Sequence, residues 1–306
     1  MVRLYKNFDI AKKDKHSIIL IGNFDGLHLG HQKLFSLAKK FKKKYQKKIG
    51  VLTFDPIPKM FFNKKLKNFR LSNQKQKIEL LKKMDVDFVI EKKFDKNFSK
   101  IKSLDFIKIV LGRKLEPKFI FVSDNFRFGN KRQGDVKQLV DHEKIYQYKI
   151  IKPLPLRRND TVISSSLIRN LLETGNLKKA NYLLDREWSI IGKVLKGRQL
   201  GTKIGFPTAN IDIKKYVISK PGVYGVNVRY NKSSNLIKGI ANLGYRPTFK
   251  GKKILLEVHL FNFSGNLYNK YLTVNFEKFI RKEKKFKNID HLKKQIKLDI
   301  QKAKYI

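Results

Sequence analysis

The chain has 306 residues, 41% of them hydrophobic and 12% aromatic, which suits folded domains and excludes a disordered polymer. It contains no cysteine, so disulfides, thiolate metal sites and cysteine nucleophiles are excluded. Lys and Arg number 70 against 25 acids, a formal +45, spread along both halves rather than gathered in one motif. That spread, beside abundant Ile, Asn and Phe, reads as an AT-rich genome written onto solvated surfaces. It predicts no specific nucleic-acid partner while still attracting anionic substrates. The length favours two domains. The first residues lack a signal peptide's apolar core, and no apolar run approaches the roughly 20 residues of a membrane span. A cytoplasmic protein without a membrane partner is expected, as a monomer or weak homo-oligomer.

In chain order, Ser17 to Gly22 is an apolar run of buried-strand length, followed by a helix with Leu34, Leu37, Ala38, Phe41 and Tyr45 on one face. Strands are expected at Ile49 to Phe54, Val86 to Ile90 and Phe119 to Val122, with helices at Gln74 to Met84 and Ser103 to Leu111 between them. Short strands alternating with helices predict a parallel sheet covered on both faces. Two helices follow, from Ser164 or Ser165 to Thr174 with Gly175 just beyond its end, and Leu177 to Leu184. Strand-like runs then dominate: Trp188 to Leu195, Gly222 to Tyr230, Leu236 to Leu243, Ile254 to Phe261 and Tyr271 to Phe279. Gly, Pro, Asn and Ser clusters separate them, as in a small antiparallel barrel. A terminal helix carries Ile289, Leu292, Ile296, Ile300 and Ala303 on one stripe. The expected boundary divides the chain into 1–184 and 185–306.

Two segments carry chemistry. The first, Ile21-Gly22-Asn23-Phe24-Asp25-Gly26-Leu27-His28-Leu29-Gly30-His31, follows the first strand and opens the first helix. In open α/β sheets ligands bind beyond the carboxyl ends of strands, near helix N-termini. Gly22, Gly26 and Gly30 let the backbone approach a phosphate, and the helix start favours negative charge. His28 and His31 can point into one phosphate-sized site. A zinc site would need a third protein ligand, and the other four histidines offer no recognisable spacing. The second segment runs from Gly192 through Gly201 to Gly205-Phe206-Pro207-Thr208-Ala209-Asn210. Its Thr and Asn oxygens are suitable hard ligands for Mg²⁺, although by composition alone it is equally a turn.

The H-x-G-H turn is similar to the signature of the nucleotidyltransferases that join an ATP α-phosphate to an acceptor phosphate. More closely, it resembles the N-terminal module of the bifunctional prokaryotic riboflavin kinase/FAD synthetases. Thr53-Phe54-Asp55-Pro56-Ile57-Pro58, Asp124-Asn125-Phe126-Arg127-Phe128-Gly129 and Ile163-Ser164-Ser165-Ser166-Leu167-Ile168-Arg169 match in the expected order. The resemblance implies a Rossmann-like adenylyltransferase domain in which His28 and His31 serve the ATP α-phosphate. Gly22, Phe24, Asp25 and Gly26 line the nucleotide loop. Ser165, Ser166 and Arg169 would hold the leaving phosphates, with a helix start and a guanidinium fork suited to that task. Asp124 and Asn125 would help hold nucleotide or flavin. Ile57 stands where this family usually has a histidine, and Ser123 where it usually has glycine. The first change removes one phosphate donor and lowers the expected rate of adenylyl transfer.

In the second half, Gly205 to Asn210 resembles the family's riboflavin kinase hallmark. Pro221 to Val226, Gly239 to Phe249, Leu256 to Phe261 and Phe279 to Glu283 complete the set. By that resemblance Gly201, Gly205, Pro207, Thr208 and Asn210 bind Mg²⁺-ATP, with Thr208 and Asn210 at the metal. Glu257 would be the base that takes the riboflavin hydroxyl proton, and it lies in an otherwise apolar strand, the half-buried setting that suits a base. Arg281 and Glu283 would line the flavin pocket. Thr202, Asn262 and Asn266 replace a usual Arg and two usual acids. The implied function is phosphorylation of riboflavin to FMN followed by adenylylation of FMN to FAD, with riboflavin, FMN and ATP as small-molecule partners. The alternatives are a riboflavin kinase whose first domain is weakened or re-targeted, and a basic RNA-binding protein on this scaffold.

Overall fold

The computed structural model describes residues 2–197, 199–230, 235–248 and 251–304, so Phe249 of the expected barrel motif lies outside them. The chain forms two compact units, residues 1–67 with 74–164 and residues 68–73 with 165–306.

In the first unit, β1 (Arg3–Tyr5), β2 (Ile18–Ile21), β3 (Ile49–Asp55), β4 (Phe88–Lys93), β5 (Phe119–Phe121) and β6 (Lys149–Ile151) form a parallel sheet. Its order is β1-β4-β3-β2-β5-β6. Successive side chains on a strand point to opposite faces, so a continuous apolar run feeds two cores. On one face Ile18, Leu20, Val51, Val89 and Phe121 meet Phe35 and Ala38 of α1 (Leu29–Tyr45). After the short α2 (Pro58–Phe62), α3 (Gln74–Lys82) adds Leu81 to the same core. On the other face Ile19, Ile21, Leu52, Phe88, Ile90 and Ile120 meet Phe106, Ile107, Val110 and Leu111. Each side chain so buried stabilises the unit by about 1.5–3 kcal/mol.

Some details depart from expectation. Ser103 to Leu111 is not an ordinary helix: α4 (Ser103–Asp105) runs into a π-helical stretch over Phe106–Leu115. The Glu116 N–H closes on the Leu111 carbonyl at 2.8 Å, a five-residue span. Over so few turns an apolar stripe does not separate this wider winding from the α-helix. Tyr45, expected on the buried stripe of α1, is 39% exposed, and Phe35 fills the core instead. The three-residue β1 and β6 are too short to stand out by pattern.

In the second unit, after α5 (Val136–Asp141) and α6 (Glu143–Tyr146) of the first, α7 (Ser165–Thr174) ends at Gly175, whose φ of +87° suits a residue without Cβ, and α8 (Leu177–Leu184) follows. Six antiparallel strands close a barrel: β9 (Trp188–Leu195), β10 (Ala209–Ile211), β11 (Gly222–Tyr230), β12 (Ile237–Thr248), β13 (Gly251–Leu260) and β14 (Tyr271–Arg281). (The two-residue strands β7, Arg157–Arg158, and β8, Thr161–Val162, pair as a hairpin in the first unit.) A single-turn helix, α9 (Leu200–Lys203), lies between β9 and β10, and α10 (Ile289–Lys304) closes the chain. Trp188, Tyr224, Val274 and Phe276 fill the interior. Ile296, Ile300 and Ala303 of α10 cover Val223 and Ile240. Residues 68–73 belong to this unit through backbone pairing: the Phe69 and Arg70 N–H groups reach the Lys215 carbonyl at 2.9 and 2.7 Å. The buried Trp188 indole N–H donates to the Leu71 carbonyl at 2.9 Å.

Candidate active sites

The strand order reverses direction between β2 and β5, because β3 and β4 lie on one side of β2 while β5 and β6 lie on the other. The glycine turn springs from β2 at that switch point, where open α/β sheets leave a crevice. Gly26 (φ +81°) and, at a strain cost, Phe24 (φ 46°) and Leu27 (φ 37°) adopt left-handed backbone that folds the turn tightly. A Cβ on Gly22 would lie 3.1 Å from the Phe24 ring, and one on Gly30 would lie 3.0 Å from the Ile163 carbonyl. Phe24 and Asp25 are buried.

His28 is the N-cap of α1 and makes no side-chain bond to the first helical N–H groups. Its ring stacks on His31 with centroids 3.8 Å apart, and the Phe24 ring meets His31 edge-on at 5.2 Å. Burial, reinforced by the neighbouring imidazole, holds the His31 pKa well below the usual histidine value. His31 is therefore neutral at neutral pH. Its buried Nδ1 has no hydrogen-bond partner among the described residues.

Around this pair, Thr53 Oγ1 donates to the Asn23 carbonyl at 3.3 Å and accepts from the buried Lys77 Nζ at 3.0 Å. Ile57 is 5% exposed, an apolar residue closing the core rather than a polar one facing ligand. Asp124 and Asn125 sit on the exposed loop after β5, with Ser123 Oγ donating to Asn125 Oδ1 at 2.9 Å and Lys152 Nζ 3.8 Å from Asp124. Asp124, Arg127 and Lys152 line an open hollow of about 350 Å³. Ser165, Ser166 and Arg169 begin α7 in the second unit. There Arg169 is buried, its Nε donates to the Phe69 carbonyl at 2.6 Å, and its guanidinium lies 3.8 Å over the Phe69 ring.

The second site stands on the barrel's outer face. In β13 the buried Leu256, Val258 and Leu260 alternate with half-buried Glu257 and His259. Register places Asn210 of β10 directly opposite Glu257 on one side and Asn242 of β12 opposite it on the other. Directly opposed residues share a face, so the three polar side chains form one row. Two glycines make room for it. A Cβ on Gly197 would lie 2.1 Å from Asn210 Nδ2, and one on Gly201 would lie 3.2 Å from Thr208 Oγ1 and 2.4 Å from the Phe206 carbonyl. Gly205 turns the chain with a φ of +87°. Thr208, Asn210 and Glu257 together offer the neutral and anionic oxygens that suit Mg²⁺. Among the described residues, no three His, Asp or Glu side chains gather as a metal-binding group.

Comparison with known proteins decides the family. A model described as FAD synthetase matches residues 10–167, and one described as riboflavin kinase matches residues 184–306. Bifunctional riboflavin kinase/FMN adenylyltransferases from Buchnera aphidicola, Haemophilus influenzae and Escherichia coli K12 are 39%, 40% and 36% identical, over 95%, 94% and 92% of this chain and 94%, 92% and 90% of their own. The chain belongs to this bifunctional family. It thus carries a riboflavin kinase domain and an FAD synthetase domain, and both activities use ATP. A solved structure from Streptococcus pneumoniae, described as a macrolide-efflux protein, shares the fold over 99% of this chain and 98% of its own, with a TM-score of 0.85 and 27% identity. That description belongs to the other protein. Here, among the described residues, no helix is long and apolar enough to cross a membrane.

Within the family frame, two expected flavin residues have other engagements. Arg281 Nε donates to both Asp299 carboxylate oxygens at 2.9 and 3.0 Å and Nη2 donates at 2.7 Å, which ties the end of β14 to α10. Glu283 lies against the β12 backbone: a Cβ on Gly244 would come within 2.0 Å of its Oε1. Sequence reasoning gave no role to Lys77, Asn242 or His259. Lys77 is one lysine among many, with no local signal. Asn242 and His259 were reachable, the one through strand register and the other through its two-residue spacing from Glu257.

Proposed function

We propose that the two sites act in series through these residues. The barrel phosphorylates riboflavin to FMN, and an adenylyltransferase domain, proposed as residues 1–184 with the kinase as 185–306, transfers adenylyl to FMN. In the barrel, Glu257 takes the proton of the riboflavin 5′-hydroxyl, whose oxygen attacks the ATP γ-phosphorus as ADP leaves. Thr208 and Asn210 hold the nucleotide with its Mg²⁺, and Gly201, Gly205 and Pro207 shape the loop beside the phosphates. Mg²⁺, when bound, supplies neutralisation of phosphoryl charge. Arg281 and Glu283 border the flavin.

In the adenylyltransferase domain an FMN phosphate oxygen attacks the ATP α-phosphorus and pyrophosphate departs. Such chemistry rests on positioning and on donors aimed at developing charge. His28 and neutral His31 donate to the α-phosphate, the turn of Gly22, Phe24, Asp25 and Gly26 admits it, and the start of α1 favours its charge. Ser165, Ser166 and Arg169 serve the leaving pyrophosphate, while Asp124 and Asn125 hold the incoming FMN. The working location is the cytoplasm.

The observation that most supports this reading is the His28–His31 stack, centroids 3.8 Å apart, on the glycine turn at the topological switch point. Buried Ile57 favours a second reading, in which the kinase is intact and the FAD synthetase step is slow. Incubating the purified protein with riboflavin, Mg²⁺ and ATP separates the two. FMN followed by FAD supports the series, FMN alone supports the second reading, and no flavin product overturns both.

A further inference from the structure

The kinase turn is attached to the barrel by one side chain that none of the roles above uses. His259 Nδ1 lies 2.8 Å from the Pro207 carbonyl. A carbonyl only accepts, so Nδ1 carries the proton and the imidazole is the donor. The Phe206 ring meets the same imidazole edge-on at 5.7 Å. His259 therefore grips Phe206 and Pro207, the two residues immediately before Thr208. It sits two positions beyond Glu257 on β13, so both side chains project from the same outer face. One short stretch of strand carries both the proposed base and the anchor of the loop that faces it. The next residues after the anchored carbonyl enter β10, where Asn210 comes into register with Glu257.

We propose that His259 is a positioning residue of the kinase: its Nδ1–H holds the Pro207 carbonyl so that Thr208 and Asn210 are presented to the nucleotide at a fixed distance from Glu257. This rests on the assignment of the barrel site to Mg²⁺-ATP and riboflavin. The role is geometric, so the proton of Nδ1 stays where it is throughout the reaction. An Asn side chain places its amide nitrogen near the position of Nδ1, whereas a Gln amide reaches toward Nε2. Chemistry at the same position thus separates hydrogen-bond anchoring from simple filling of space.

The test compares His259→Leu, His259→Asn and His259→Gln in the full-length protein. FMN formation from riboflavin is followed as ATP is varied at saturating Mg²⁺. His259→Leu and His259→Gln should raise the KM for ATP about tenfold, the equivalent of about 1.4 kcal/mol, with a smaller effect on kcat. His259→Asn should recover wild-type KM to within about threefold. FAD formation from supplied FMN, a reaction of the other unit, should be unchanged in all three. If His259→Leu fails to fold, the contrast between Asn and Gln decides the matter alone. Equal impairment of Asn and Gln, or an unchanged KM in His259→Leu, overturns the inference while wild-type kinase activity stands. Absence of FMN formation by the wild-type protein instead removes the reading beneath it.

Discussion

Replacing Asp299 by Ala removes the carboxylate that Arg281 holds with three hydrogen bonds, at 2.7, 2.9 and 3.0 Å. It also strips the Gln295 amide of its 3.0 Å partner. The Asp299 side chain is 1% exposed and that of Arg281 14%, so the guanidinium left behind remains largely desolvated. Breaking a buried pair by deleting one partner costs about 3–5 kcal/mol. Because Arg281 keeps some solvent contact and water can enter the vacated space, the low end applies, about 3 kcal/mol. For a unit of roughly 150 residues, each kcal/mol moves Tm by about 2–4 °C, so the second unit should melt about 6–12 °C lower. Differential scanning calorimetry of the full chain measures this directly. A double variant, Arg281→Met with Asp299→Leu, removes both charges together and should return to within about 1 kcal/mol of wild type. A shift under about 2 °C for Asp299→Ala, or a double variant as unstable as the single one, would refute the reasoning.

Two further outcomes follow from the same structure. Gly197→Ala drives a Cβ to 2.1 Å from Asn210 Nδ2, forcing that side chain off its place opposite Glu257. The KM for ATP in FMN formation should rise about tenfold or more, while FAD formation from FMN stays at its wild-type rate. The depressed pKa of His31 gives the first unit an acid sensitivity. Below about pH 6.5 the unfolded imidazole binds a proton that the folded one resists, so this part of the stability is present above that pH and lost as pH falls toward the folded value. Denaturant titrations should show the stability gap between wild type and His31→Gln shrinking on acidification by at most about 1.4 kcal/mol per pH unit, and a gap that widens would reverse the assignment.

Much of this architecture was legible because the chain is locally consistent. The apolar run before Gly22 and the stripe on α1 predict strand, turn and helix in the order found, and the turn lands at the switch point where a site belongs. Strands β9 and the first half of β14 were readable because more and less buried residues alternate along them, whereas β11 opens on five buried residues in a row and was readable as a short apolar run bounded by turn residues. What failed to show was geometry without a pattern. Arg281 carries the same charge whether it faces a ligand or Asp299, and its partner lies 18 residues away on a helix. Arg169 likewise stacks on Phe69, a hundred residues earlier in the chain. The π-helical winding of Phe106–Leu115 leaves an apolar stripe that an α-helix would share over so short a length.

The central claim is two chemically separate sites in one chain, and a pair of single variants tests it most directly. His28→Ala and Glu257→Gln are each given riboflavin, Mg²⁺ and ATP, and then FMN, Mg²⁺ and ATP. His28→Ala should accumulate FMN and form no FAD from either flavin. Glu257→Gln should leave riboflavin unchanged yet convert supplied FMN to FAD, and mixing the two proteins should restore FAD from riboflavin. Loss of both steps in either variant, or failure of the mixture to make FAD, would contradict the account.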